Sequence, residues 1–364
     1  MSFASSRRTF LKQAGALVAT SSVAFPSVLI PRRKQKLGVA LVGLGGYSRG
    51  RLGPGLEMTE HCELRGIVTG SPEKIPVWQE RYGIPDANVY NYDNLDEIAN
   101  NDDIDVVYIV TPTGVHARDS IRAAEAGKHV WCEKPMAMNV AECQAIIDAA
   151  NKNGVFLSIG YRMQHEPNTQ TVIRYATERP FGAITEVRSG AGYRGAHDDG
   201  NWRRNASLGG GPLYDMGVYP INAIRYATGM EPIAVQGRLW SERTELYDEV
   251  EEFAEFTMEL PEGVTAYGET AFGKRTAYLD VTCADGAYYL RPFQSYSGVK
   301  GGASDGTEWP ADPDHQQARQ MDNDALAILE GRGPRVPGED GLADVRIVEA
   351  IRQSSAQDGA RIAL

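Results

Sequence analysis

The chain has 364 residues, of which 42% are hydrophobic and 23% charged, and these proportions are typical of a globular protein. At about 100–200 residues per domain, this length predicts two domains. The formal net charge of −11 argues against a large nucleic-acid surface. Beyond the N-terminus no apolar run approaches the ~18–20 residues that a membrane span needs.

The N-terminal segment has the composition of a targeting sequence. Residues 1–56 contain nine Lys and Arg side chains and no Asp or Glu. A basic Ser-Arg-Arg-Thr-Phe-Leu-Lys stretch at residues 6–12 precedes a short, weakly apolar segment, which resembles a twin-arginine export signal. The alternative is a simple N-terminal arm. We expect residues 1–34 to be signal peptide and arm, and the protein to be exported to the periplasm in a folded state.

The four cysteines predict free thiols rather than disulfides. They are Cys62, Cys132, Cys143 and Cys283, and no two of them form a C-x-x-C pair. A chain that folds in a reducing compartment before export has no early opportunity to form disulfides. We therefore expect buried, unpaired side chains.

Residues 35–160 alternate between short apolar runs and helical patterns. The runs are apolar throughout, which indicates strands that are covered on both faces and hence a parallel sheet wrapped by helices. This pattern predicts an α/β, doubly wound Rossmann domain that binds a dinucleotide. The predicted strands span residues 37–42, 64–69, 105–110, 128–132 and 156–159.

A glycine-rich turn follows the first of these strands and opens a helix. In that context glycines let the backbone approach a pyrophosphate, whose charge the helix N-terminus stabilises. We therefore predict that Gly43, Gly45, Gly46 and Tyr47 contact the cofactor, whereas a purely structural turn is the alternative. Ser48 stands where a third glycine is usual, and we expect it to loosen the helix–strand packing slightly.

The end of the second strand favours NADP over NAD. An acidic residue at this tip would accept hydrogen bonds from the ribose 2′-hydroxyl of NAD and repel the 2′-phosphate of NADP. This chain instead offers Thr69, Ser71 and Lys74, which we predict to hold the cofactor. Glu73 is the counter-argument, although a residue inside the helix start can point away.

Residues 161–364 predict a substrate-binding and oligomerisation domain of α+β type. Alternating strands indicate one large, mostly antiparallel open sheet with one packed face, and two helices close the chain near residues 314–330 and 341–355. These last helices could fold back on the first domain. The open face predicts a homo-dimer or homo-tetramer, which would require an apolar outer surface.

Motifs from both halves resemble the Gfo/Idh/MocA family, and most of all its glucose–fructose oxidoreductase branch. Thr-Pro-Thr-Gly-Val-His and Glu-Lys-Pro follow neighbouring strands, at the edge where open α/β sheets place their ligands. A triple glycine begins an Asp- and Tyr-containing segment in the second half. The resemblance runs from residue 37 to the end, and its motifs lie at residues 108–116, 127–136, 159–162, 209–219 and 337–346.

The position of Lys134 at a strand end places it near the nicotinamide. The resemblance implies further residues that line the cofactor and substrate site. They are Pro112, His116, Glu133, Arg162, Trp202 and Arg203.

The same resemblance points to Lys134, Asp215 and Tyr219 as the catalytic residues. In much of the family a histidine acid/base and a later acid follow the triple glycine, whereas this chain has Tyr219 and Asn222 there. Because a histidine and a carboxylate, both common metal ligands, are absent from these positions, the sequence argues against a metal site. A tyrosine with a pKa of about 10 is a poor base at neutral pH, and a nearby ammonium favours its phenolate form. Lys134 would also bind the reacting oxygen, while Asp215 would orient the sugar or keep the lysine charged. A core aromatic is the alternative for Tyr219.

Together with the residues at the tip of the second strand, the resemblance implies an NADP-dependent sugar oxidoreductase that transfers hydride between the C1 hydroxyl of an aldose and tightly bound NADP. An exported enzyme meets no free pool of NADP(H), so a second sugar would reoxidise the cofactor in a ping-pong cycle. Three alternatives stay open: a simple aldose dehydrogenase, an NAD-dependent glycoside hydrolase of the same family, and a non-catalytic nucleotide sensor. The expected partners are small sugars.

Overall fold

Two β-sheets organise the protein in the computed structural model, which describes residues 35–196, 198 and 200–364. The predicted twin-arginine segment lies outside these residues. The first sheet comes from residues 37–159 and the second from residues 184–363. Within the described part of the chain, no helix is both long and apolar enough to cross a membrane.

The first sheet has six parallel strands in the order β3-β2-β1-β4-β5-β6. All six residues of β1 are buried, because helices cover both faces of the sheet. The predicted α/β fold is confirmed, but the sequence pattern missed β3, whose two residues are too few to form a periodic run. The strands are β1 Leu37–Val42, β2 Cys62–Val68, β3 Val89–Tyr90, β4 Val106–Ile109, β5 His129–Cys132 and β6 Leu157–Ile159.

The second sheet has nine strands in the order β14-β13-β12-β11-β7-β10-β9-β8-β15. Neighbouring strands are antiparallel except β7 and β10, which run parallel in the middle of the sheet. The predicted mostly antiparallel sheet is therefore confirmed. Its strands are β7 Ile184–Gly192, β8 Ala234–Trp240, β9 Phe253–Glu259, β10 Thr265–Ala271, β11 Thr276–Cys283, β12 Gly286–Leu290, β13 Gly301–Ala303, β14 Glu308–Trp309 and β15 Ile362–Ala363.

Eight α-helices pack around the two sheets in the described residues. Gly83 and Gly154 end two of them in the left-handed conformation that glycine adopts without strain. The helices are α1 Gly53–Leu56, α2 Ile75–Tyr82, α3 His116–Glu125, α4 Val140–Asn153, α5 Pro167–Glu178, α6 Val218–Thr228, α7 Gln316–Glu330 and α8 Gly338–Ala356.

Helix α7 lies against the first sheet although it follows the second in sequence. Met321 and Ala325 belong to the same buried apolar cluster as Val39 of β1. The Asp322 carboxylate accepts hydrogen bonds from the backbone amides of residues 60 and 61, at 2.8 and 2.6 Å. A helix from the C-terminal part of the chain thus packs on the first sheet.

All four cysteines are buried and unpaired in the structure. Burial raises the pKa of the Cys62 and Cys143 thiols to about 12, so that both stay protonated at neutral pH. The prediction of free, buried thiols is confirmed.

Candidate active site

The turn between β1 and the next helix is shaped by Gly43 and Ser48. Gly43 has φ +98°, and a Cβ there would lie 3.0 Å from the Val110 carbonyl oxygen, so only glycine fits. The buried Ser48 hydroxyl donates a hydrogen bond of 2.5 Å to the Gly43 carbonyl. Ser48 therefore stabilises the turn, whereas we expected it to loosen the helix–strand packing. The following π-helical turn and α1 end at Leu56.

The space beside the next two glycines suits a dinucleotide. A Cβ on Gly45 or Gly46 would meet no protein atom within 4 Å, so the backbone faces open space there. Thr111 Oγ1, at the end of the neighbouring strand, is buried without a hydrogen-bond partner among the described residues. A pyrophosphate can approach such bare backbone closely, which is the reason for glycines at these positions. The turn therefore fits the predicted cofactor.

Gly45→Ala tests this assignment. We expect the nucleotide content of the purified protein to fall at least about tenfold, because the new methyl group occupies the approach to the backbone. The free energy of unfolding should change by less than about 1 kcal/mol, since the methyl touches no protein atom. Gly50→Ala is the matched control, because a Cβ there also meets no atom but lies beyond the turn. Equal nucleotide content in both variants would contradict the assignment.

The tip of β2 presents hydroxyl groups and a lysine to the same edge of the sheet. Thr69 is buried, and its Oγ1 accepts a hydrogen bond of 3.1 Å from the backbone amide of Ser71. Lys74 lies partly exposed at the end of a short 3₁₀ turn, with Glu73 exposed beside it. The strand tip itself carries no acid, as the sequence indicates.

His116 ties together the loops that follow β4 and β5. Its Nδ1 lies 2.8 Å from the Pro135 carbonyl oxygen and its Nε2 lies 2.7 Å from the Thr111 carbonyl oxygen. Burial lowers the pKa of the ring, which is only 1% exposed. His116 thus fixes the loop that carries Lys134, while Pro112 starts the 3₁₀ turn that leads into α3.

Glu133 points into the first domain rather than toward the second. Its Oε1 accepts a hydrogen bond of 2.7 Å from the Tyr108 hydroxyl, and burial raises its pKa. A Cβ on Gly160 would lie 2.7 Å from the same carboxylate oxygen, so the glycine at that position leaves room for it. Glu133 therefore anchors the base of the loop that ends in Lys134.

Lys134 reaches across to the second half of the chain. Its Nζ donates a hydrogen bond of 2.7 Å to the backbone carbonyl of Asp215 and lies 4.5 Å from the centroid of the Tyr219 ring. Burial opposes its charge, but the attraction of Tyr219 and Asp215 prevails and raises the pKa of the ammonium. The structure thus brings together the three residues that the sequence proposes as catalytic.

Tyr219 and Asn222 lie on the same helix, α6, and have different surroundings. The Tyr219 hydroxyl forms no hydrogen bond with any described residue, so it is available to a ligand. The Asn222 amide donates to Asp340 and Asp344, at 3.1 and 2.9 Å, in a buried polar cluster. Only Tyr219 shares the surroundings of Lys134.

Asp215 lies in a π-helical turn just before α6, between two cations. Its Oδ2 accepts a hydrogen bond of 2.8 Å from Arg203 Nε, and its Oδ1 is 3.9 Å from Lys134 Nζ. Burial would raise the pKa of the carboxyl, but Arg203 and then Lys134 lower it. Trp202 packs against the Arg203 guanidinium at 4.6 Å. This geometry favours the role in which Asp215 keeps the lysine charged.

The triple glycine lets the loop that carries Arg203 pack closely. A Cβ on Gly210 would lie 2.6 Å from the Arg203 carbonyl oxygen, and the Gly211 amide donates to that same oxygen at 2.9 Å. The motif therefore places the arginine beside Asp215.

Asp215→Asn should lower the free energy of unfolding by about 2 kcal/mol, because Arg203 loses a buried, charged hydrogen-bond partner. Urea denaturation measures this loss. The lowered pKa means that the contribution is present above the ordinary aspartate pKa of about 3.9 and is lost as the pH falls through the folded-state value. Asp280→Asn, in the exposed pair with Arg291, is the control and should cost less than about 1 kcal/mol. Equal losses would argue against a special role for Asp215.

Arg162 is deeply buried, although the sequence places it only near the cofactor. The residue is 2% exposed, and its guanidinium lies 5.5 Å from the Tyr219 ring centroid. It also lies 4.6 Å from the centroid of Tyr296. Tyr296 itself packs near Tyr47, with 5.8 Å between the ring centroids. The sequence gives no indication of Tyr296, because the segment from residue 291 to 309 has no motif or periodic pattern.

The fold and the site together define a redox enzyme that uses a nicotinamide dinucleotide. A doubly wound sheet supplies the glycine turn, and a cation and a phenol from different halves of the chain meet at the C-terminal edge of that sheet. Residues 37–161 match the oxidoreductase family with an NAD-binding Rossmann fold, and residues 169–288 match the GFO/IDH/MocA C-terminal domain. The chain belongs to this family and is an NAD(P)-dependent oxidoreductase.

Relatives with known activities cover almost the whole chain. The crystal structure of aldose-aldose oxidoreductase from Caulobacter crescentus, complexed with glycerol, is 37% identical, with a TM-score of 0.86 over 90% of this chain and 100% of that chain. The NADP-dependent D-xylose 1-dehydrogenase of Haloarcula marismortui is 27% identical over 331 residues, which are 87% of this chain and 90% of the relative. The NADP-dependent D-xylose 1-dehydrogenase 2 of Haloferax volcanii is 28% identical over 333 residues, which are 89% of this chain and 98% of the relative.

Proposed function

We propose that the protein is an NADP-dependent sugar oxidoreductase that transfers hydride between C1 of an aldose and a tightly held NADP. The observation that carries this proposal is the contact of Lys134 with Tyr219, at 4.5 Å from ammonium to ring centroid. The names of the relatives support a sugar substrate, since one acts on two aldoses and two act on D-xylose.

In the proposed reaction the C1 hydroxyl loses its proton while C1 loses hydride. Tyr219 takes the proton as a phenolate, and the Lys134 ammonium stabilises the phenolate and hydrogen-bonds the reacting oxygen. Asp215 keeps that ammonium charged. A bound nicotinamide would supply the acceptor for the hydride and its two electrons, and the cyclic aldose would leave as a lactone. An acceptor sugar would reverse each transfer, with Tyr219 returning the proton.

The preference for NADP rests on the tip of β2. Thr69, Ser71 and Lys74 offer hydroxyl groups and a cation at the place where an NAD enzyme usually has a carboxylate. Both D-xylose dehydrogenases are named as NADP enzymes, which supports the same choice.

The proposed cycle is ping-pong and takes place in the periplasm. The twin-arginine pattern at residues 6–12 supports export of a folded protein. Outside the cytoplasm a dissociable NADP would be lost, so retention and recycling by a second sugar follow from the location. A simple aldose dehydrogenase, as two of the relatives are named, would instead depend on free nucleotide.

Denaturing extraction of the purified protein tests this function. We expect released NADP, which one aldose reduces on the native protein and a second sugar reoxidises, without added nucleotide. Released NAD would overturn the cofactor choice. Turnover only with added nucleotide would indicate a simple dehydrogenase, and cleavage of aryl glycosides a hydrolase. If no sugar reduces the nucleotide, the proposed function is wrong.

The proposed homo-oligomer, a dimer or tetramer, would use the outer face of the second sheet. Tyr267 and Tyr289 expose 37% and 41% of their surface there, which gives this face apolar area to bury. Ion pairs within the chain, such as Arg188 with Glu186, make the face more polar than expected. Sedimentation equilibrium tests the proposal, and a monomer would overturn it.

A further inference from the structure

The connection between β12 and β13 brings a second phenol, Tyr296, toward the candidate active site. At the base of this loop the Arg291 amide donates a hydrogen bond of 2.7 Å to the Lys300 carbonyl. Phe293 and Val299, each 1% exposed, fasten the two sides of the loop in the core. The base of the loop is therefore fixed by packing on both sides.

Arg162 hydrogen-bonds the backbone at the tip of this loop. Its guanidinium donates to the carbonyls of Gln294 and Ser295, at 2.5 and 3.4 Å, and to Gln316 Oε1 at 2.7 Å. All of its oxygen partners among the described residues are neutral groups. Since a guanidinium presents its donors in a rigid plane, these bonds fix the backbone just before Tyr296.

The ring of Tyr296 is held on two sides and exposed on the rest. The guanidiniums of Arg51 and Arg162 each lie 4.6 Å from its centroid, and the ring of Tyr47 lies 5.8 Å away. Nevertheless 41% of the residue is exposed. A ring that is this well positioned, yet open on one side, offers a fixed apolar surface to a ligand.

The hydroxyl of Tyr296 interacts electrostatically with the catalytic pair, Lys134 and Tyr219. Burial raises the pKa of Tyr296 and Tyr219 raises it further, while Arg162 and Lys134 oppose the shift. No described residue hydrogen-bonds this hydroxyl. It stays protonated at neutral pH and can both donate and accept a hydrogen bond.

We propose that Tyr296 positions the sugar, with its ring against the C–H face of a pyranose and its hydroxyl hydrogen-bonded to a sugar hydroxyl. An aldose ring combines an apolar C–H face with a rim of hydroxyls, and Tyr296 matches both features in one side chain. It would thereby turn C1 toward Lys134 and Tyr219. The inference rests on the proposed function and makes Tyr296 a positioning residue, outside the proton transfer.

Tyr296→Phe removes the hydroxyl and keeps the ring. With D-glucose and D-xylose as probes, we expect KM to rise about tenfold with kcat within about twofold, because ground state and transition state lose the same hydrogen bond. The amount of bound nucleotide should not change. In Tyr296→Ala the ring is lost as well, and we expect the sugar-dependent increase in Tm of the nucleotide-bound wild type to disappear.

Tyr289→Phe is the matched control, because Tyr289 is also 41% exposed and packs near an arginine, but on the outer sheet face. Its KM should equal that of the wild type. Unchanged KM in Tyr296→Phe, or a fall in kcat alone, would overturn the positioning role. A wild type that no aldose reduces would overturn the proposed function instead, and with it the sugar as ligand, before any variant is made.

Discussion

Lys134→Met is expected to lower kcat for sugar-dependent nucleotide reduction by about 10³-fold. Methionine keeps most of the volume of the side chain but removes the ammonium that lies 4.5 Å from the Tyr219 ring centroid. The phenolate then loses its stabilising charge, and the reacting oxygen loses a hydrogen-bond donor. Single-turnover reduction of the bound nucleotide measures the effect without interference from product release.

The charge of Lys134 should persist over the whole working pH range. Its pKa is raised, so the ammonium is fully present below the ordinary lysine value of about 10.4 and is lost only as the pH rises through the higher folded-state value. We therefore expect no fall in the wild-type rate from deprotonation of this lysine between about pH 6 and 9. A wild-type rate that falls as the pH rises through this interval would contradict a lysine that keeps its charge there.

Lys152→Met is the matched control for this experiment. Lys152 lies exposed in the last turn of α4 and is not among the proposed site residues. The same substitution there should leave kcat within about twofold of the wild type. If Lys134→Met also stays within about tenfold of the wild type, the lysine is not part of the chemistry.

The sheets could be predicted from the sequence because their strands carry local patterns. A strand buried on both faces, such as β1, is a continuous apolar run, and strands of the second sheet alternate. The two-residue strand β3 has no room for either pattern, and its place is set by pairing with Ile67 and Val68 of β2. The position of a short edge strand therefore depends on tertiary contacts, which the local sequence pattern does not indicate.

The approximate position of Lys134 also followed from local information, because the ends of parallel strands converge at one edge of the sheet. The proximity of Lys134 to Asp215 and Tyr219 could be predicted only through the family resemblance, because about 80 residues separate Lys134 from the other two in sequence. The role of Tyr296 could not be predicted at all. Its position depends on hydrogen bonds from Arg162, more than 130 residues earlier, to backbone carbonyls that have no sequence signature.

Tyr219→Phe should lower kcat by about 10²–10⁴-fold, the range typical of losing a general base, while bound nucleotide stays unchanged. The ring of phenylalanine preserves the packing against Lys134 and Arg162, so only the proton acceptor is removed. The residual rate should rise with pH as hydroxide takes over the proton. A simple packing defect would not produce this pH dependence.

Tyr226→Phe, on the same helix, separates the catalytic role of Tyr219 from a structural one. Tyr226 packs against the core cluster, and burial raises its pKa well above the ordinary value, so its hydroxyl stays protonated at any working pH. We expect this variant to keep kcat within about twofold, with any effect confined to the free energy of unfolding. If the two variants instead lose similar stability and similar small amounts of activity, Tyr219 is a core aromatic, and the proton must leave the sugar by another route.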